Sequence, residues 1–425
     1  MIDLKVVREQ PDRVRENLNR RGDAAIMEQF EKLLTADTQW RELKGQEDTI
    51  RSERNTISRQ INEAKKAGTD ASALLEAAKG IPAKLAQLEE QRKALEEQRR
   101  SLHLRVPNLL DDSVPQGKDD SENRPIRRWG EPKKPDFPLR THGEIVEMLG
   151  GDFTRATKLS GAGFYFLRGN LALLNQALIQ FAINHLVRKG YTFVEPPLMM
   201  RREPYEGVTD LSDFEKVQYQ VEGEDLKLIA TAEHPLVAQY MGEELRADEL
   251  PIKLAGYSMC FRKEIGSHGV DTKGLFRTHQ FNKVEQVIVC KPADSARYHE
   301  ELLANGEELF QALDIPYEVV DVCTGDMGIV ASKKYDTNAW MPRQQAYREV
   351  QSCSNCTDYQ ARRLNIRFQD KDGYTFVHTL NNTAIATSRA LVAILENNQQ
   401  KDGSVLVPAV LRPYMGGKMR LEPAK

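Results

Sequence analysis

The chain has no long apolar segment. Its 425 residues contain no hydrophobic run near the roughly 18 residues that a membrane-spanning helix needs. The start of the sequence, MIDLKVVREQPDRVRENLNRRG, is charged throughout and lacks the apolar core of a secretory signal. We therefore expect no membrane association and a cytoplasmic protein.

Cysteine is scarce, and the five residues present are an odd number. A secreted disulfide framework normally uses a denser and even set, so a reducing compartment is indicated. Cys353 and Cys356 form CSNC, half of a zinc site, but there is no second Cys-x-x-C and the eight histidines are scattered. We expect no structural zinc.

Neither sign of charge dominates, since 60 lysines and arginines face 63 aspartates and glutamates and the net charge is -3. A polyanionic partner would therefore have to meet a local basic patch. A Walker-type phosphate loop is also absent, and GAGFYFLRG at 161–169 lacks the third glycine and the following helix of a dinucleotide loop. The length favours two or three domains.

The first hundred residues have the pattern of helices. Asp3 can cap a first short helix, and Pro11 is tolerated only at a helix start. Hydrophobic positions then recur in steps of three and four, with polar interruptions, at Leu43, Glu47, Ile50, Arg54, Ile57, Ile61 and Ala64, and again at Leu74, Ala78, Ile81, Leu85, Leu88, Arg92, Leu95, Arg99 and Leu102. This periodicity, with a glycine-containing turn at 65–72, predicts an antiparallel coiled-coil hairpin over about 31–104. Gly80 and Pro82 should kink or restart the return helix.

Such a hairpin has two interpretations from the residues alone. It could be a dimerisation or spacer element, or an arm that reaches a nucleic acid with a set of basic residues: Arg51, Arg54, Arg59, Lys65 and Lys66. Acidic residues are nearly as frequent along it, which weakens the second interpretation.

The rest of the chain is predicted to be a mixed α+β domain. Residues 107–138 carry six of the nineteen prolines and are predicted to be a linker between an N-terminal domain at 1–106 and a domain at 139–425. Beyond the linker, amphipathic helices alternate with strands that are often joined by hairpins. We therefore expect a mainly antiparallel sheet flanked by helices.

One hairpin carries an unusual set of side chains. CFRKEIGSHGVDTKGLFRTHQFNKVEQVIVC at 260–290 is predicted to be two strands and a glycine-bearing loop. Side chains alternate along a strand, so Arg262 and Glu264 share one side, as do Arg277, His279, Phe281, Lys283 and Glu285. An aromatic between charged ends suits an elongated ligand, although a solvated charged strand is equally compatible with the spacing.

Three segments, in order, resemble the signature motifs of class II aminoacyl-tRNA synthetases. They are NHLVRKGYTFVEPPLM at 184–199, which overlaps motif 1 at about 171–197; the hairpin at 260–290, which overlaps motif 2 at about 256–287; and TLNNTAIATSRALVAILENNQ at 379–399, which covers motif 3 at about 379–398. With TAE at 231–233, REVQSCS at 348–354 and the N-terminal hairpin, the whole chain is similar to seryl-tRNA synthetases of the common bacterial type. The subtype that uses an active-site zinc lacks the heptad hairpin seen here.

The resemblance implies a role for each motif residue that binds the nucleotide. Arg262 would hold the α-phosphate of ATP, Glu264 the adenine amino edge, and Phe281 would stack on the base beside the Thr278 backbone. Arg277 and Arg389 would meet the distal phosphates, and Glu349 and Ser352 would contact ATP and its Mg²⁺. From its own surroundings Arg389 could equally be a helix residue in an ion pair.

The resemblance also implies a serine site and a set of partners. L-serine would lie beside Thr231, Ala232, Glu233, Glu285, Asn381 and Thr383. The implied reaction joins serine and ATP to seryl-adenylate and transfers the seryl group to tRNA(Ser), and to tRNA(Sec) where that tRNA occurs. The implied catalytic residues are Arg262, Arg277 and Arg389, and the implied assembly is a homodimer.

Two other hypotheses have different consequences. A paralogue that adenylates an amino acid for a protein carrier would not need a hairpin that grips tRNA. A coiled-coil scaffold with a degenerate enzyme domain would lack nucleotide-binding residues, whereas Arg262, Glu264, Phe281 and Arg389 are present.

Overall fold

The computed structural model describes residues 1–209, 217–264, 274–371 and 373–424. They divide into two compact units. One contains Ile2–Asn19 and Asp23–Pro107, and the other contains Asn108–Lys425 with Met1 and Arg20–Gly22. None of the described helices is long and apolar enough to cross a membrane.

The first unit opens with two short helices. Helix α1 (Leu4–Glu9) follows Asp3, whose carboxylate accepts a hydrogen bond from the Lys5 backbone at 2.7 Å. Helix α2 (Pro11–Asn19) begins at its proline. Proline lacks a backbone N–H, and at the first position of a helix that N–H would have no hydrogen-bond partner within the helix. Both predicted helix starts are confirmed.

A helical hairpin forms the rest of this unit. Helix α3 (Ala24–Ala67) ends at Gly68 with φ 66°, a left-handed conformation that suits glycine. The chain returns as α4 (Ser72–Lys79) and α5 (Ile81–Arg105), which are separated at Gly80. The predicted hairpin and the restart before Pro82 are confirmed, and the first long helix begins several residues earlier than the periodicity indicated.

Buried carboxylates occupy polar positions of the hairpin seam. Glu47, only 3% exposed, pairs with Arg92 at 2.7 Å and Arg51 at 2.5 Å. Asp37 is buried among arginines, with Arg99 at 3.0 Å. A buried charge that loses its partner is strongly destabilising, so these pairs fix which residues of α3 and α5 lie opposite each other.

The second unit is built on an eight-stranded sheet within the described residues. Its strands, in spatial order, are β1 (Arg124–Trp129), β8 (Tyr317–Asp321), β9 (Lys333–Met341), β10 (Ala346–Asn355), β13 (His378–Ala386), β7 (Gln280–Cys290), β6 (Ile252–Phe261) and β2 (Thr192–Val194). Every pair is antiparallel except β2 with β6. The predicted sheet type is confirmed.

Smaller elements complete this unit. The helices are α6 (His142–Met148), α7 (Phe153–Ser160), α8 (Gly169–Arg188), α9 (Arg202–Val208), α10 (Glu233–Ala238), α11 (Ser295–Ala312), α12 (Tyr359–Leu364) and α13 (Thr387–Asn398). The short strands are β3 (Met199–Met200), β4 (Lys227–Leu228), β5 (Glu244–Leu245), β11 (Arg367–Asp370), β12 (Gly373–Phe376), β14 (Val405–Leu406) and β15 (Arg420–Leu421). Short 3-10 helices lie at Asp120–Glu122, Pro292–Asp294 and Ala409–Met415.

The proline-rich segment is more than a connection. Residues Arg124–Trp129 form β1, which pairs antiparallel with β8 at one edge of the sheet. The interpretation of 107–138 as a linker missed this strand because Pro125 argues against a strand interior. An edge strand tolerates proline, because one side of its backbone forms no hydrogen bonds with a neighbouring strand.

The two faces of the sheet bury different helices. Leu174 of α8 packs in one cluster with Val284 and Ile288 of β7, and Leu236 of α10 packs in another with Val287. Residues of β7 therefore alternate between the two clusters. The odd-numbered residues that begin at Phe281 face the side of α10, where the cavity described below lies.

Candidate active site

A cavity of about 400 Å³ opens on this face of the sheet. The residues predicted to bind nucleotide or serine that line it are Arg262, Glu264, Arg277, Thr278, Phe281, Glu349, Ser352, Arg389, Thr231, Glu233, Asn381 and Thr383. Ala232 and Glu285 are fully buried and lie outside this lining. Long-range strand pairing thus brings the residues of the separate motifs to one cavity.

The hairpin of β6 and β7 supplies one wall. Cys260 pairs with Phe281 in the ladder, and the Arg262 backbone donates to the His279 carbonyl at 2.9 Å just beyond it. The Arg262 guanidinium lies 5.2 Å from the centre of the Phe281 ring, and its Nε donates to the Ala230 carbonyl at 3.3 Å. The predicted loop at 265–273 lies outside the described residues.

Strand alternation fails at the start of β7. The strand begins at Gln280, and both Arg277 and Thr278 line the cavity, so the expectation that His279 shares the face of Arg277 and Phe281 is wrong. The His279 ring instead stacks on Phe164 at 5.2 Å, and its Nδ1 lies 2.6 Å from the Tyr219 hydroxyl.

The GAGFYF segment holds this histidine in place. The Gly163 carbonyl accepts from the His279 backbone at 2.9 Å. Gly163 has φ +81°, and a Cβ there would lie 2.3 Å from the His279 ring. The glycine is therefore required by a close approach to His279, a role that the failed match to a dinucleotide loop did not suggest.

Gly163→Ala should destabilise the protein by roughly 2 to 4 kcal/mol, because a left-handed residue would gain a side chain that overlaps His279. Displacing His279 should also raise the KM for ATP, since Thr278 and Arg262 are anchored beside it. Thermal unfolding and ATP titration measure the two effects. Gly161→Ala is the matched control, because Gly161 has φ +92° and no atom within 4 Å of its Cβ position. Equal destabilisation by both variants would show that the close approach to His279 is not what requires glycine at position 163.

Arg389 and Glu349 pair at one end of the cavity. The Arg389 guanidinium lies 3.0 Å from the Glu349 carboxylate and 5.2 Å from the Phe276 ring centre. Burial raises the pKa of Glu349, but the charges of Arg389 and Lys334 outweigh burial and hold it below its ordinary value. The ion pair that was the alternative interpretation of Arg389 is therefore present, and the Glu349 carboxylate in it is ionised at neutral pH.

Two charged residues beneath this end were not predicted. Asp336 on β9 lies opposite Ser352 in the ladder, and Lys334 reaches it at 3.7 Å from the cavity wall. Burial is the main reason that the pKa of Asp336 is raised to about 6. The sequence did show two charged residues, Lys334 and Asp336, on the same side of one strand. That pattern could be assigned to the site only once the pairing of β9 with β10 was known.

The opposite end of the cavity collects carboxylates and hydroxyls. Glu285 lies opposite Thr383 in the β7–β13 ladder, and Lys283 approaches Glu285 at 2.5 Å. Lys283 also donates to the Thr231 hydroxyl at 3.1 Å. Glu233 begins α10 and accepts from Gln360 at 2.9 Å. Lys283 lines the cavity, although it was not among the predicted site residues.

Burial controls the protonation of this end. It raises the pKa of Glu233 to about 7, with the charge of Glu285 adding to the effect. The pKa of Glu285 is also raised by burial, against the opposing charge of Lys283. His234 lines the cavity too, and burial lowers its pKa to about 3, so this imidazole is neutral at physiological pH.

The CSNC cysteines are buried thiols. Cys356 lines the cavity and accepts from the Asn381 amide at 3.7 Å, and Cys353 lies within the core. Burial raises the pKa of both well above the ordinary value. Among the described residues, no group of three or more histidine, cysteine, aspartate or glutamate side chains is arranged to hold a metal ion.

The predicted tRNA-binding residues belong to the other unit. Arg51, Arg54, Arg59, Lys65 and Lys66 are exposed along α3. Arg51 pairs with Glu89 at 2.8 Å as well as with Glu47, so its charge is largely engaged within the hairpin.

Comparison with known proteins gives the family. Residues 1–110 match the model of the seryl-tRNA synthetase N-terminal domain, and residues 215–398 match the class II core domain of the G, H, P, S and T synthetases. A serine–tRNA ligase of Methanocella arvoryzae is 57% identical over 98% of this chain and 99% of its own length.

Solved structures agree with these matches over the full length. Seryl-tRNA synthetase from Pyrococcus horikoshii, solved with ATP, has a TM-score of 0.95 and 45% identity, with 100% of both chains covered. The cytoplasmic serine–tRNA ligase from Naegleria fowleri, solved with AMP, has a TM-score of 0.90 and 34% identity, with 100% of this chain and 99% of that one covered. The chain belongs to the seryl-tRNA synthetase family of class II aminoacyl-tRNA synthetases.

Proposed function

We propose that the cavity binds ATP and L-serine side by side, forms seryl-adenylate, and transfers the seryl group to the 3′ end of tRNA(Ser). The observation that supports this is one cavity that is lined by three arginines and that also has a carboxylate cluster around Lys283. Arg262, Arg277 and Arg389 supply guanidinium groups for a polyphosphate, while Glu233 and Glu285 suit an ammonium group.

The proposed nucleotide site follows the geometry of the hairpin. Phe281 offers a ring face for adenine, and Glu264, 3.6 Å from Arg277, can accept from the adenine amino group. Arg262 would bind the α-phosphate with the nitrogens that its bond to Ala230 leaves free. The ATP and AMP held by the Pyrococcus and Naegleria relatives support a nucleotide site here.

We also propose that Glu349 and Ser352 hold the Mg²⁺ of MgATP. Both line the cavity, and the ionised carboxylate with a neighbouring hydroxyl is an oxygen donor set that Mg²⁺ accepts alongside phosphate oxygens and water. When bound, the ion neutralises phosphate charge. Arg389, which pairs with Glu349, would orient that carboxylate and meet the distal phosphates.

The serine site would use small, fixed polar groups. Glu285 and Glu233 would receive the ammonium group, Thr383 would face the hydroxyl, and the backbone at Ala232 and the Asn381 side chain would complete the pocket. Alanine lacks the hydroxyl and would leave Thr383 unpaired, whereas threonine must fit an extra methyl group.

The chemistry needs positioning and charge neutralisation rather than a protein nucleophile. A carboxylate oxygen of serine bonds to the α-phosphorus of ATP, the bond to the bridging oxygen breaks, and pyrophosphate leaves. A ribose hydroxyl of the tRNA terminus then bonds to the seryl carbonyl carbon, and AMP leaves. Arg262, Arg277 and Arg389 would act on the charge that shifts among the phosphates.

The partners and domains are proposed on the same basis. Residues 1–106 would be the tRNA-binding domain and 139–425 the catalytic domain, and the family matches at 1–110 and 215–398 support that division. Of the exposed basic residues on α3, those outside the Arg51 ion pairs would contact tRNA(Ser), and tRNA(Sec) where that tRNA occurs: Arg54, Arg59, Lys65 and Lys66. The cytoplasm is the proposed compartment.

Serine-dependent ATP–pyrophosphate exchange, compared across the twenty amino acids, tests the first step. Serine should give the highest kcat/KM, and alanine and threonine should be rejected in the pocket. Charging of tRNA(Ser) with labelled serine tests the second step. Exchange with another amino acid, or exchange without tRNA charging, would contradict the proposal.

The assembly is expected to be a homodimer, because the segment that resembles motif 1 carries exposed apolar side chains. Leu173 is 53% exposed and Val187 46% exposed on α8, and Phe193 on β2 is 38% exposed. Light scattering at micromolar concentration should give about 97 kDa, twice the 48.3 kDa of one chain. Leu173→Lys should shift the mass toward one chain, and a fully active monomer would contradict the expectation.

A further inference from the structure

Lys283 is a buried ammonium group that the proposed reaction does not yet use. It is 7% exposed and lies on β7 between Phe281 and Glu285. Its Nζ is 2.5 Å from the Glu285 carboxylate and donates to the Thr231 hydroxyl at 3.1 Å. A single side chain therefore contacts two groups of the proposed serine site.

The hydrogen bonds around the Thr231 hydroxyl decide whether it acts as a donor or as an acceptor toward the cavity. Its oxygen accepts from Lys283 and also from the Glu233 backbone N–H at 3.3 Å. A hydroxyl has two acceptor lone pairs and one donor hydrogen, so both lone pairs are used. Thr231 is left as a donor and must present its hydrogen to an acceptor on the substrate.

Glu285 has the complementary character. It is 1% exposed, and an isolated buried carboxyl favours its neutral form. The adjacent ammonium of Lys283 favours the ionised form, which accepts hydrogen bonds and offers none. Thr231 lines the cavity and offers it one donor, while Glu285 is buried beside the lining residues Lys283 and Thr383 and offers one ionised acceptor. Together they match a ligand that carries both an acceptor group and a cation.

Resting on the proposed serine site, we propose that Lys283 is a positioning residue for amino-acid selection. It keeps Glu285 an ionised acceptor for the substrate ammonium and makes Thr231 a donor for a substrate oxygen. Without Lys283, Glu285 is no longer held as an ionised acceptor and Thr231 is no longer held as a donor, while the residues proposed to bind the nucleotide are unchanged.

The effect should depend on pH in a defined direction. The groups that act on Glu285 or feel its charge are Lys283 on the same strand, Thr383 on β13, Arg262 and Cys260 at the end of β6, Glu233 at the start of α10, and Cys353 on β10. Removing Lys283 removes the nearest positive charge, so the pKa of Glu285 rises further. Serine binding, which needs the carboxylate, is then lost at a higher pH than in the unmodified protein.

The test compares Lys283→Met with Lys283→Arg in the full-length protein. The methionine variant should raise the serine KM at least roughly 100-fold at pH 7.5, because a buried carboxylate loses its partner, while the ATP KM changes less than about threefold. The acid limb of log kcat/KM for serine should move to higher pH. Arginine keeps the charge and should restore the position of that limb in part.

A double variant separates positioning from stability. With Glu285→Gln as the background, adding Lys283→Met should change serine KM far less than it does alone, since no ionisable partner remains. Lys283→Gln provides a second neutral variant should the methionine variant fail to fold. Equal changes in the two KM values, with an unmoved acid limb, would overturn the assignment to Lys283.

The proposed function can fail separately. Absence of serine-dependent exchange in the unmodified protein would overturn the serine site itself. Normal exchange in the unmodified protein, together with an unchanged serine KM in both neutral variants, would overturn only the role of Lys283.

Discussion

Arg262→Gln is expected to lower kcat for serine-dependent ATP–pyrophosphate exchange by roughly 10²- to 10³-fold, the range for loss of one preorganised donor to developing charge. The guanidinium is fixed by its contacts with Ala230 and Phe281, so its two terminal nitrogens remain available in a set direction. A donor held in place before the reaction needs little reorganisation when charge shifts on the α-phosphate.

Two further variants make this result specific. Arg262→Lys keeps the charge but loses the planar fork, and we expect an intermediate loss of activity. Arg246→Gln is the matched control, because Arg246 is 71% exposed and pairs with Asp248 away from the cavity lining. Retention of more than about a third of kcat by Arg262→Gln would remove this residue from the proposed catalytic set.

The sequence was most informative where chemistry and local pattern coincide. Arg262, Glu264 and Phe281 stand at a hairpin whose strands are adjacent in the chain, so their proximity follows from one turn. The helical hairpin was similarly predictable, since its seam is written in steps of three and four and its turn is marked by Gly68. In both cases the interacting residues are close in sequence or periodic along one helix.

Strand pairing decides which residues meet at the site. Asp336, which was missed, lies opposite Ser352 only because the consecutive strands β9 and β10 pair in one particular register. The predicted residues Thr383 and Glu285 lie opposite each other only because β13 pairs with the distant strand β7. His279 was placed on the wrong face because the expected alternation was extended back to Arg277, whereas β7 begins only at Gln280. Residues that precede a strand need not follow its alternation.

Buried polar side chains were also hard to interpret from their residue type. Lys283 on a strand with alternating charges resembles a solvated position, and its hydropathy gives no sign of 7% exposure. Only the contacts with Thr231 and Glu285 distinguish it from a surface lysine. The resemblance already implied Thr231, Glu233 and Glu285 at this part of the cavity, so Lys283 is the residue there that needed the structure.

The hairpin should be separable from adenylation. Removing residues 31–104 altogether would also remove Asp37 and Arg99, whose buried pair belongs to the base of the N-terminal unit. The structure gives a better boundary: Glu47 and Arg92 lie opposite each other at 2.7 Å, so residues 48–91 can be replaced by a short Gly-Ser turn. The base and its buried pairs are then retained.

In this shortened protein, exchange with serine should stay within about twofold of the parent, because the cavity residues all belong to the second unit. Charging of tRNA(Ser) at subsaturating concentration should fall at least roughly 100-fold, since contacts with the tRNA backbone supply salt-dependent binding that the acceptor end cannot replace. Light scattering and thermal unfolding would confirm that the shortened protein is assembled and folded.

Point variants can then distinguish the residues of the hairpin that contact tRNA from those that stabilise the hairpin. Arg59→Gln combined with Lys65→Gln and Lys66→Gln should raise the tRNA KM and flatten its dependence on salt, because fewer counterions are released. Arg51→Gln is the contrast, since Arg51 is engaged by Glu47 and Glu89 and its loss should lower hairpin stability with little change in the salt slope. If the shortened enzyme charges tRNA(Ser) at the parental rate, the hairpin is a spacer, and the basic residues on α3 have no part in binding.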